Sequence, residues 1–239
     1  MTVRQIAAFS GGKDSTAMLL AMRDRGERID GLLVTPTGDE LPEVWEHWDR
    51  IAALVGGELI RPKAPTLRQA IDAVGGLPNF RMRWCTRMIK IEPMIAWARS
   101  QPDDVVICVG LRADEPERTG IISETLRCRF PLREYGMGLL EVRSILAHHE
   151  VCVPARTDCA RCYHQRIGEW WDLWRNHPEI FADAIEDEKR TGRTYRTPGR
   201  DSWPTSLAEL RDAFTAGRVP KDRSKQLPMF EEPCRVCRL

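Results

Sequence analysis

The stretch at residues 9–15, Phe-Ser-Gly-Gly-Lys-Asp-Ser, constrains the fold more than any other part of this 239-residue chain. An apolar run at residues 3–9 leads into it and indicates a buried strand, and residues 16–22 after it indicate a helix. A strand, a glycine turn and a helix are the parts from which α/β proteins build an anion site. We therefore expect the turn to face a negatively charged ligand.

The residue types in this turn suit a polyphosphate. The predicted binding residues are Ser10, Gly11, Gly12, Lys13, Asp14 and Ser15. The two glycines allow a sharp turn that exposes consecutive N–H groups, and the helix start and the lysine add positive charge. The two hydroxyls can donate hydrogen bonds to phosphate oxygens, and the aspartate can hold a metal ion that accompanies a polyphosphate. The pattern is not a Walker A loop, which has four residues between its first glycine and its Gly-Lys pair.

The hexapeptide Ser-Gly-Gly-Lys-Asp-Ser resembles the PP-loop of the ATP pyrophosphatase superfamily. Those enzymes cleave ATP between its α and β phosphates and release AMP, or an adenylylated intermediate, together with pyrophosphate. The resemblance implies that ATP is bound and cleaved here, with Lys13 and Asp14 in catalytic positions and Mg²⁺ near Asp14. The alternative is a glycine turn before a helix that contains a lysine by chance.

Hydrophobic periodicity predicts how the rest of the chain is organised. Strands are predicted at residues 3–9, 29–35, 58–61 and 105–111, and helices at 15–24, 41–55, 67–74, 167–175, 178–190 and 207–216. Residues 139–150 indicate a short strand followed by a helix. With the resemblance above, this order predicts an α/β fold with a doubly wound, mainly parallel sheet of the adenine nucleotide alpha hydrolase type.

Two domains are expected within this length. Residues 1–150 would form the nucleotide-binding domain, and residues 151–239 a helical, cysteine-containing C-terminal extension packed on it. The extension carries a stripe of aromatic and aliphatic residues at helical spacing, which we expect to pack against the main sheet.

Further polar residues follow the second predicted strand. Ligands of open α/β sheets lie at the carboxyl ends of the strands, so this loop should face the PP-loop. The resemblance to the superfamily implies that backbone groups near Thr35 to Gly38 contact the adenosine. Asp39 and Glu40 are weaker candidates, because they could equally form the acidic start of the next helix.

The fourth predicted strand also ends in charged residues. Gly110, Arg112, Glu115 and Arg118 follow one another at the end of an apolar run rich in valine and isoleucine. Arg112 is the stronger candidate for a contact to phosphate or substrate, and Arg118 is the next. The alternative is a loop in which these residues form ion pairs with one another.

Residues 81–90 contain four basic residues and no acidic one. Cys85 precedes a predicted helix that runs to about residue 98, and Arg83 and Arg87 flank it. A helix start and positive neighbours favour a thiolate, which can act as a metal ligand or as a nucleophile. The alternative is a buried cysteine at the start of a surface helix.

Two of these segments resemble the phosphoadenosine phosphosulfate (PAPS) reductase-like branch of the superfamily. They are Trp-Cys-Thr-Arg-x-x-Lys at residues 84–90, followed by Pro93, and Gly-x-Arg-x-x-Glu at residues 110–115. The resemblance implies catalytic roles for Cys85 and Arg112, and nucleotide contacts at Gly110 and Arg118. True PAPS reductases have a degenerate PP-loop, whereas the loop of this chain is intact, which implies that ATP itself is the substrate.

Two Cys-x-x-Cys pairs, Cys159 with Cys162 and Cys234 with Cys237, indicate a metal centre. Four thiolates satisfy either a [4Fe-4S] cluster or tetrahedral zinc. The sulfur chemistry of the family and the extra thiols favour the cluster, and the lack of ferredoxin-type cysteine runs favours zinc. Cys85 or Cys152 is an alternative ligand in place of a tail cysteine, and free or redox-active thiols remain a third interpretation.

Composition sets limits on compartment and partners. The net charge is +1, and thirty of the 36 basic residues are arginine, the side chain best shaped for phosphate. No apolar run reaches membrane-spanning length, so a cytoplasmic location without membrane contact is expected. RNA or DNA could be the acceptor, because arginines cluster near residues 81–90 and basic residues near 217–225. A sulfur-donor protein and a homodimer are further expected partners.

Three functions are compatible with these features. The first is an ATP-dependent adenylyl or sulfur transferase that activates an acceptor for thiolation. The second is a sulfonucleotide reductase with Cys234 or Cys237 as its nucleophile. The third is a zinc-stapled subunit that binds ATP without turnover.

Overall fold

The computed structural model describes residues 3–118 and 126–221. Within them, five parallel strands form one sheet in the order β3-β2-β1-β4-β5. The strands are β1 (Arg4–Ala8), β2 (Gly31–Leu33), β3 (Leu59–Ile60), β4 (Val105–Cys108) and β5 (Cys128–Arg129). The strand order reverses between β1 and β4, so that helices cover both faces of the sheet and a crevice opens at the carboxyl ends of these two strands. This architecture confirms the predicted α/β fold.

Helices connect the strands and form the C-terminal part. They are α1 (Lys13–Asp24), α2 (Pro42–Val55), α3 (Leu67–Val74), a π-helix at Thr86–Ile91 that continues into α4 (Glu92–Arg99), α5 (Pro131–Glu134), α6 (Leu139–His148), α7 (Ile167–Asn176), α8 (Pro178–Thr191) and α9 (Leu207–Thr215). A π-helical turn is uncommon, and such turns occur frequently at functional sites. The π-helix begins directly after Cys85.

The first helix lies at the centre of the molecule. Residues 15–22 of α1 are all buried, because α1 packs against α2, α5, α6 and strand β1. A helix that is apolar around its whole circumference must be covered on every side. The phosphate-loop end of α1 is therefore held in place by the core.

Two short elements differ from the predictions. The prediction of a strand at the start of residues 139–150 is wrong. Helix α6 begins at Leu139, and Glu141 accepts a hydrogen bond from the Gly138 N–H at 2.8 Å. Strand β5 was not predicted, because it has two residues and its side chains show no apolar alternation. Its pairing with β4 comes from tertiary structure, which local sequence does not report.

The aromatic stripe of the extension packs mainly against the extension itself. Trp170 of α7 lies 6.1 Å from the ring of Phe181 on α8 and 5.8 Å from Tyr195, and Trp174 lies 5.5 Å from Phe214 on α9. These rings therefore pack mainly between α7, α8 and α9, and they belong to the same continuous hydrophobic core as residues of β1 and β2. No described helix has the length and apolar character that crossing a membrane requires.

Candidate functional site

The turn between β1 and α1 has the geometry of an anion cradle. Gly11 has φ +81°, a conformation that side chains other than glycine rarely adopt. A Cβ there would lie 2.7 Å from the indole Nε1 of Trp48, so the close packing of α2 also requires glycine. The hydroxyls of Ser10 and Ser15 lie 3.1 Å apart, and the Gly12 N–H donates to the Ser10 hydroxyl at 3.3 Å.

Helix α1 opens towards this turn without a side-chain cap. Gly12 occupies the N-cap position and Lys13 is the first helical residue. The first N–H groups of a helix have no partner inside the helix, so an uncapped start presents donors and a partial positive charge. Lys13 adds a full charge, and its side chain is 41% exposed, at 3.2 Å from the carboxylate of Asp14. A phosphate group suits this arrangement.

The end of strand β4 closes the cradle from the other side. A Cβ on Gly110 would lie 3.0 Å from both the Asp14 carbonyl oxygen and the Ser15 nitrogen. Glycine at this position therefore lets the strand end approach the first turn of α1, and it brings the segment after β4 to the phosphate loop.

These elements enclose a pocket of about 720 Å³ at the carboxyl ends of β1, β2 and β4. Of the predicted binding residues, the pocket is lined by Ser10, Gly12, Lys13, Asp14, Ser15, Thr35, Gly110 and Arg118. Cavities that hold small molecules or cofactors measure roughly 300–1,000 Å³. The pocket therefore has room for a nucleotide.

Arg112 lies beside the pocket rather than in its lining. Its Nη1 contacts both carboxylate oxygens of Asp14 at 3.3 Å, its Nε donates to Asp114 at 2.8 Å and its Nη2 to Glu115 at 2.8 Å. Three carboxylates occupy its guanidinium group, and its side chain is only 10% exposed. Arg112 therefore holds Asp14 from beside the pocket, and its direct contact to phosphate stays a prediction.

Arg118 and Glu115 occupy the outer part of the same network. Arg118 donates to Glu115 at 2.6 Å, and Arg133 donates to the carbonyl oxygens of Glu115 and Arg118, each at 2.6 Å. The side chain of Arg118 is 57% exposed and lines the pocket, so it can reach a ligand. The residues of this loop form ion pairs with one another, as the alternative interpretation of the sequence predicted. Arg118 nevertheless faces the pocket.

The loop after β2 is held by its own acidic residue. Glu40 accepts hydrogen bonds from the Thr37 N–H at 2.7 Å and the Gly38 N–H at 3.0 Å. Gly38 has φ +71° and faces the side chain of Thr66. The N–H of Gly38 is therefore already hydrogen-bonded to Glu40. The sequence predicted a nucleotide contact near Gly38, but Gly38 does not line the pocket. Thr35 and Glu40 do line it.

Asp39 points away from the pocket into a buried ion-pair network. It accepts from the N–H and the guanidinium of Arg161, whose Nη1 also donates to Asp187 at 2.6 Å. All three residues are buried. Burial raises the pKa of Asp39, an effect that the charge and hydrogen bonds of Arg161 oppose. Asp39 therefore joins the extension to the sheet and is not among the residues that line the pocket.

The first cysteine pair lies next to this junction. The Ala160 N–H donates to the Asp39 carbonyl oxygen at 2.6 Å, and the Cys162 N–H donates to the Cys159 carbonyl oxygen at 3.1 Å, as in a tight turn. The side chain of Cys159 is hydrogen-bonded to Thr37, and the charge of Lys90 acts on it. The pair is therefore placed directly behind the end of β2, beside the pocket.

Burial raises the pKa of the Cys159 thiol to about 11 and that of Cys162 to about 12. Both groups are therefore neutral thiols at pH 7 when nothing is bound to them. A metal ion would be needed to bring them to the thiolate form.

The other predicted ligands are placed less favourably or lie elsewhere. Cys85 is half-buried and Cys152 is exposed. Cys234 and Cys237 lie outside the described residues. Within residues 3–118 and 126–221, no group of three or more histidine, cysteine, aspartate or glutamate side chains is arranged to hold a metal ion.

Several pocket residues were missed by sequence reasoning. Lys90 and Ile91 of the π-helix line the pocket, as do Trp48 and Thr157. The Thr157 hydroxyl would lie 3.3 Å from a Cβ on Gly12, so the segment before the cysteine pair touches the phosphate loop. Lys90 belongs to the motif at residues 84–90, which could have indicated it. The contact of residue 157 has no local signal.

His47 supports the phosphate loop from below. Its Nε2 lies 3.1 Å from the Thr16 hydroxyl, and its Nδ1 lies 3.1 Å from Nη2 of Arg50. Because a guanidinium can only donate, Nδ1 accepts and Nε2 carries the proton. Burial, aided by the charge of Arg50, lowers the pKa of His47 to about 4. The ring is therefore neutral at pH 7.

The fold and the cradle define a class: α/β proteins with a PP-loop at the first strand–helix turn. The family profile described as the phosphoadenosine phosphosulfate reductase domain matches residues 4–123, half of the chain, and the protein belongs to that family. The match covers β1 to β4 and most of the residues that line the pocket.

Two further similarities were found. Over 112 residues, 46% of this chain, the sequence is 30% identical to an uncharacterised protein of Methanocaldococcus jannaschii, and it spans 23% of that relative's length. A crystal structure of PAPS reductase from Candida auris in complex with phosphate aligns with a TM-score of 0.48 and 16% identity. The alignment covers 64% of this chain and 75% of that one.

Proposed function

We propose that this protein binds ATP and cleaves it between the α and β phosphates to activate an acceptor, which then receives sulfur. The observation that carries this proposal is the intact Ser-Gly-Gly-Lys-Asp-Ser loop at the uncapped start of α1, on the wall of a nucleotide-sized pocket. A loop that binds the three phosphates of ATP needs all of its hydrogen-bond donors. A loop whose substrate lacks the β and γ phosphates does not need all of them.

The charges around the pocket favour a polyphosphate. Lys13 lies at the helix start, Lys90 faces the pocket from the π-helix, and Arg118 faces it from the loop after β4. Lys90 has no carboxylate within 4.0 Å among the described residues, so its charge is available to a ligand. Positive groups fixed in advance stabilise the charge that develops when a P–O bond breaks.

In the proposed reaction, an acceptor oxygen attacks the α phosphorus. A bond forms between that oxygen and phosphorus, and the bond to the bridging oxygen of the β phosphate breaks, so that pyrophosphate leaves with the electron pair. Lys13 neutralises the departing phosphates, and Arg112 holds Asp14 in position. A sulfur donor then displaces AMP from the activated acceptor.

Magnesium fits the chemistry of this site. One carboxylate with substrate phosphate oxygens is a donor set that Mg²⁺ commonly takes. Asp14 lies in the first turn of α1 and lines the pocket, so it would hold the ion. When bound, the ion neutralises phosphate charge.

A cysteine-bound centre fits only in part. Cys159 and Cys162 supply two thiols on one tight turn, and a [4Fe-4S] cluster or structural zinc requires four ligands. The described residues do not complete such a set. We propose Cys234 and Cys237, or Cys85 or Cys152, as the remaining ligands, and we assign no step of the reaction to the centre.

Metal analysis of anaerobically purified protein tests the centre. About four iron and four sulfide per chain, with absorption near 400 nm, supports the cluster; one zinc supports the alternative. Cys159→Ser is expected to lose the metal, whereas Cys108→Ser, which changes a buried cysteine of β4, is expected to retain it.

Pyrophosphate release tests the reaction. The protein is incubated with ATP and Mg²⁺, with RNA or DNA and a sulfur donor added in separate arms, and pyrophosphate and AMP are quantified. Equal amounts of the two products support the proposal. ADP with inorganic phosphate, or no product in any arm, contradicts it.

The family supports a second candidate, a PAPS reductase. There, two thiols are oxidised to a disulfide while the sulfonate of PAPS leaves as sulfite and adenosine 3′,5′-bisphosphate is released. Sulfite release from PAPS with a thioredoxin-type donor would favour this reaction. ATP binding without product in either assay, with zinc in the protein, would favour a subunit without turnover. Light scattering would decide whether the protein is a homodimer.

A further inference from the structure

A solvent-exposed surface beside the cysteine pair combines an apolar ring with arginines. Phe80 is 49% exposed and Met82 is 58% exposed, although both are large hydrophobic residues. Arg81, Arg83 and Arg87 are interleaved with them along the chain and are also exposed. We call residues 80–83, Arg87, His164 and Arg200 the aromatic–arginine surface.

The ring of Phe80 is fixed by its neighbours. The ring lies 4.6 Å from that of His164 and 5.2 Å from that of Tyr163, both in edge-on geometry, and the guanidinium of Arg200 lies over it at 5.8 Å. Edge-on contacts hold a ring while leaving part of its face uncovered. Phe80 is therefore held in one orientation by its neighbours while about half of its surface stays exposed to solvent.

The positive charges of this surface are largely unneutralised. Arg81, Arg83 and Arg200 have no carboxylate within 4.0 Å among the described residues, and Arg87 alone is paired, with Glu92 at 3.5 Å. The charges of Arg83 and Arg200 act on the ring of His164 against that of Asp158, which is itself paired with Arg156 at 3.0 Å. Although the whole chain carries a net charge of only +1, this surface is strongly basic.

The surface adjoins both parts of the proposed active site. Tyr163, whose ring lies 5.2 Å from that of Phe80, directly follows Cys162 in the chain, and Cys85 lies two residues after Arg83 of this surface. The segment that begins at Phe80 continues into the π-helix, whose Lys90 and Ile91 line the nucleotide pocket. A ligand on the aromatic–arginine surface would therefore extend towards the pocket.

We propose that the aromatic–arginine surface binds single-stranded nucleic acid and delivers it as the acceptor. Arginines neutralise the phosphate backbone, and an exposed aromatic ring stacks on an unpaired base. An acidic protein would satisfy the arginines, but a single strand alone repeats a phosphate and an unpaired base at every residue of its chain, which suits both the arginines and Phe80. This inference rests on the proposed function for the acceptor role, and binding itself does not require ATP turnover.

Fluorescence anisotropy tests the binding without ATP. Labelled single strands of RNA and of DNA, about 20 nucleotides long to exceed the usual site of 4–16 nucleotides, are titrated at about 50 mM salt and above. Phe80→Ala is expected to weaken binding about tenfold with an unchanged salt dependence. Arg81→Ser with Arg83→Ser is expected to reduce the slope of log K against log salt by about 1.4, since each neutralised phosphate contributes about 0.7.

Matched controls lie elsewhere on the surface. Leu140→Ala removes an apolar side chain that is 71% exposed, and Arg211→Ser removes an exposed arginine, so neither is expected to change binding. Circular dichroism verifies that each variant is folded. Tighter binding of RNA or of DNA identifies the acceptor.

Three results would overturn the proposal: no binding at low salt, equal affinity of wild type and Phe80→Ala, or displacement by polyglutamate at the same charge concentration. Pyrophosphate release is measured separately. A chain that releases pyrophosphate but binds no single strand keeps the proposed function and loses this inference.

Discussion

The phosphate loop and the first cysteine pair both border the pocket, but they are held in place by different means. Hydrogen bonds among Ser10, Gly12 and Ser15, together with the burial of α1, fix the backbone of the loop at residues 10–15. Arg112 and His47 add contacts from other elements. The cysteine pair is positioned by residues far away in the chain, through Arg161 bound to Asp39 and Asp187. The backbone of the loop therefore depends mainly on neighbouring residues, whereas the position of the cysteine pair depends on tertiary contacts.

Because of this difference, turnover and folding stability should depend on different residues. The side chain of Lys13 is 41% exposed and contributes little to the fold, whereas that of Arg161 is 5% exposed and joins the extension to the sheet. Changes to the loop should therefore affect turnover, and changes to the junction should affect folding. The predictions below test this separation in order of decreasing effect.

Lys13→Ala is expected to reduce pyrophosphate release by about a thousandfold or more, because the charge of the departing phosphates loses its main partner. The free energy of unfolding should change by less than about 0.5 kcal/mol, because the side chain of Lys13 is partly exposed to solvent. Pyrophosphate assays and urea unfolding measure the two effects. Lys189→Ala, at an exposed lysine of α8, is the control. A variant that unfolds instead would contradict the separation.

Arg161→Ala is expected to lower the free energy of unfolding by about 3–5 kcal/mol, because it leaves Asp39 and Asp187 buried without their partner. Urea unfolding measures the loss. Arg211→Ala breaks an exposed pair with Asp212 and should cost less than about 1 kcal/mol. If the two variants were equally stable, the junction would not hold the extension in place.

The free energy of unfolding should depend on pH through His47, which lies behind the phosphate loop. Its pKa is about 4 in the folded protein and about 6.5 when unfolded, so the unfolded state binds the proton more readily. Stability from this group is fully present above pH 6.5 and is lost as pH falls towards 4, by up to about 3 kcal/mol. Urea unfolding at pH 7 and pH 4.5 should show a smaller difference in His47→Gln. An unchanged difference would show that His47 is not the group responsible.

Arg112→Lys is expected to slow pyrophosphate release about tenfold, because an ammonium group cannot hold three carboxylates as the guanidinium does. Asp14 would then be less well oriented, so the Mg²⁺ concentration for half-maximal rate should rise. A magnesium titration of the rate measures this shift. A slower rate with an unchanged magnesium requirement would indicate that Arg112 acts on the substrate directly.

The same division explains what could be predicted from the sequence. The phosphate loop, α1 and the strand before it follow from residues that are adjacent in the chain, and the fold was confirmed. Sequence reasoning placed Gly38 in the pocket, because the end of β2 does lie there. It could not foresee that Glu40 would occupy the Gly38 N–H.

Long-range contacts account for the remaining differences. The role of Asp39 depends on Arg161, which is 122 residues away, and the position of Thr157 beside Gly12 depends on the path of the extension. No local pattern reports such contacts. The residues of the π-helix could be predicted only in part. Lys90 belongs to a recognisable motif, but its position in the pocket depends on the packing of that helix.

Isothermal titration calorimetry with ATP and with PAPS tests the central claim most directly, since an intact phosphate loop should select a nucleoside triphosphate. We predict that wild-type protein with Mg²⁺ binds ATP at least about tenfold more tightly than PAPS, and that Lys13→Ala loses this preference. Tight binding of PAPS together with no heat of binding for ATP would contradict the account.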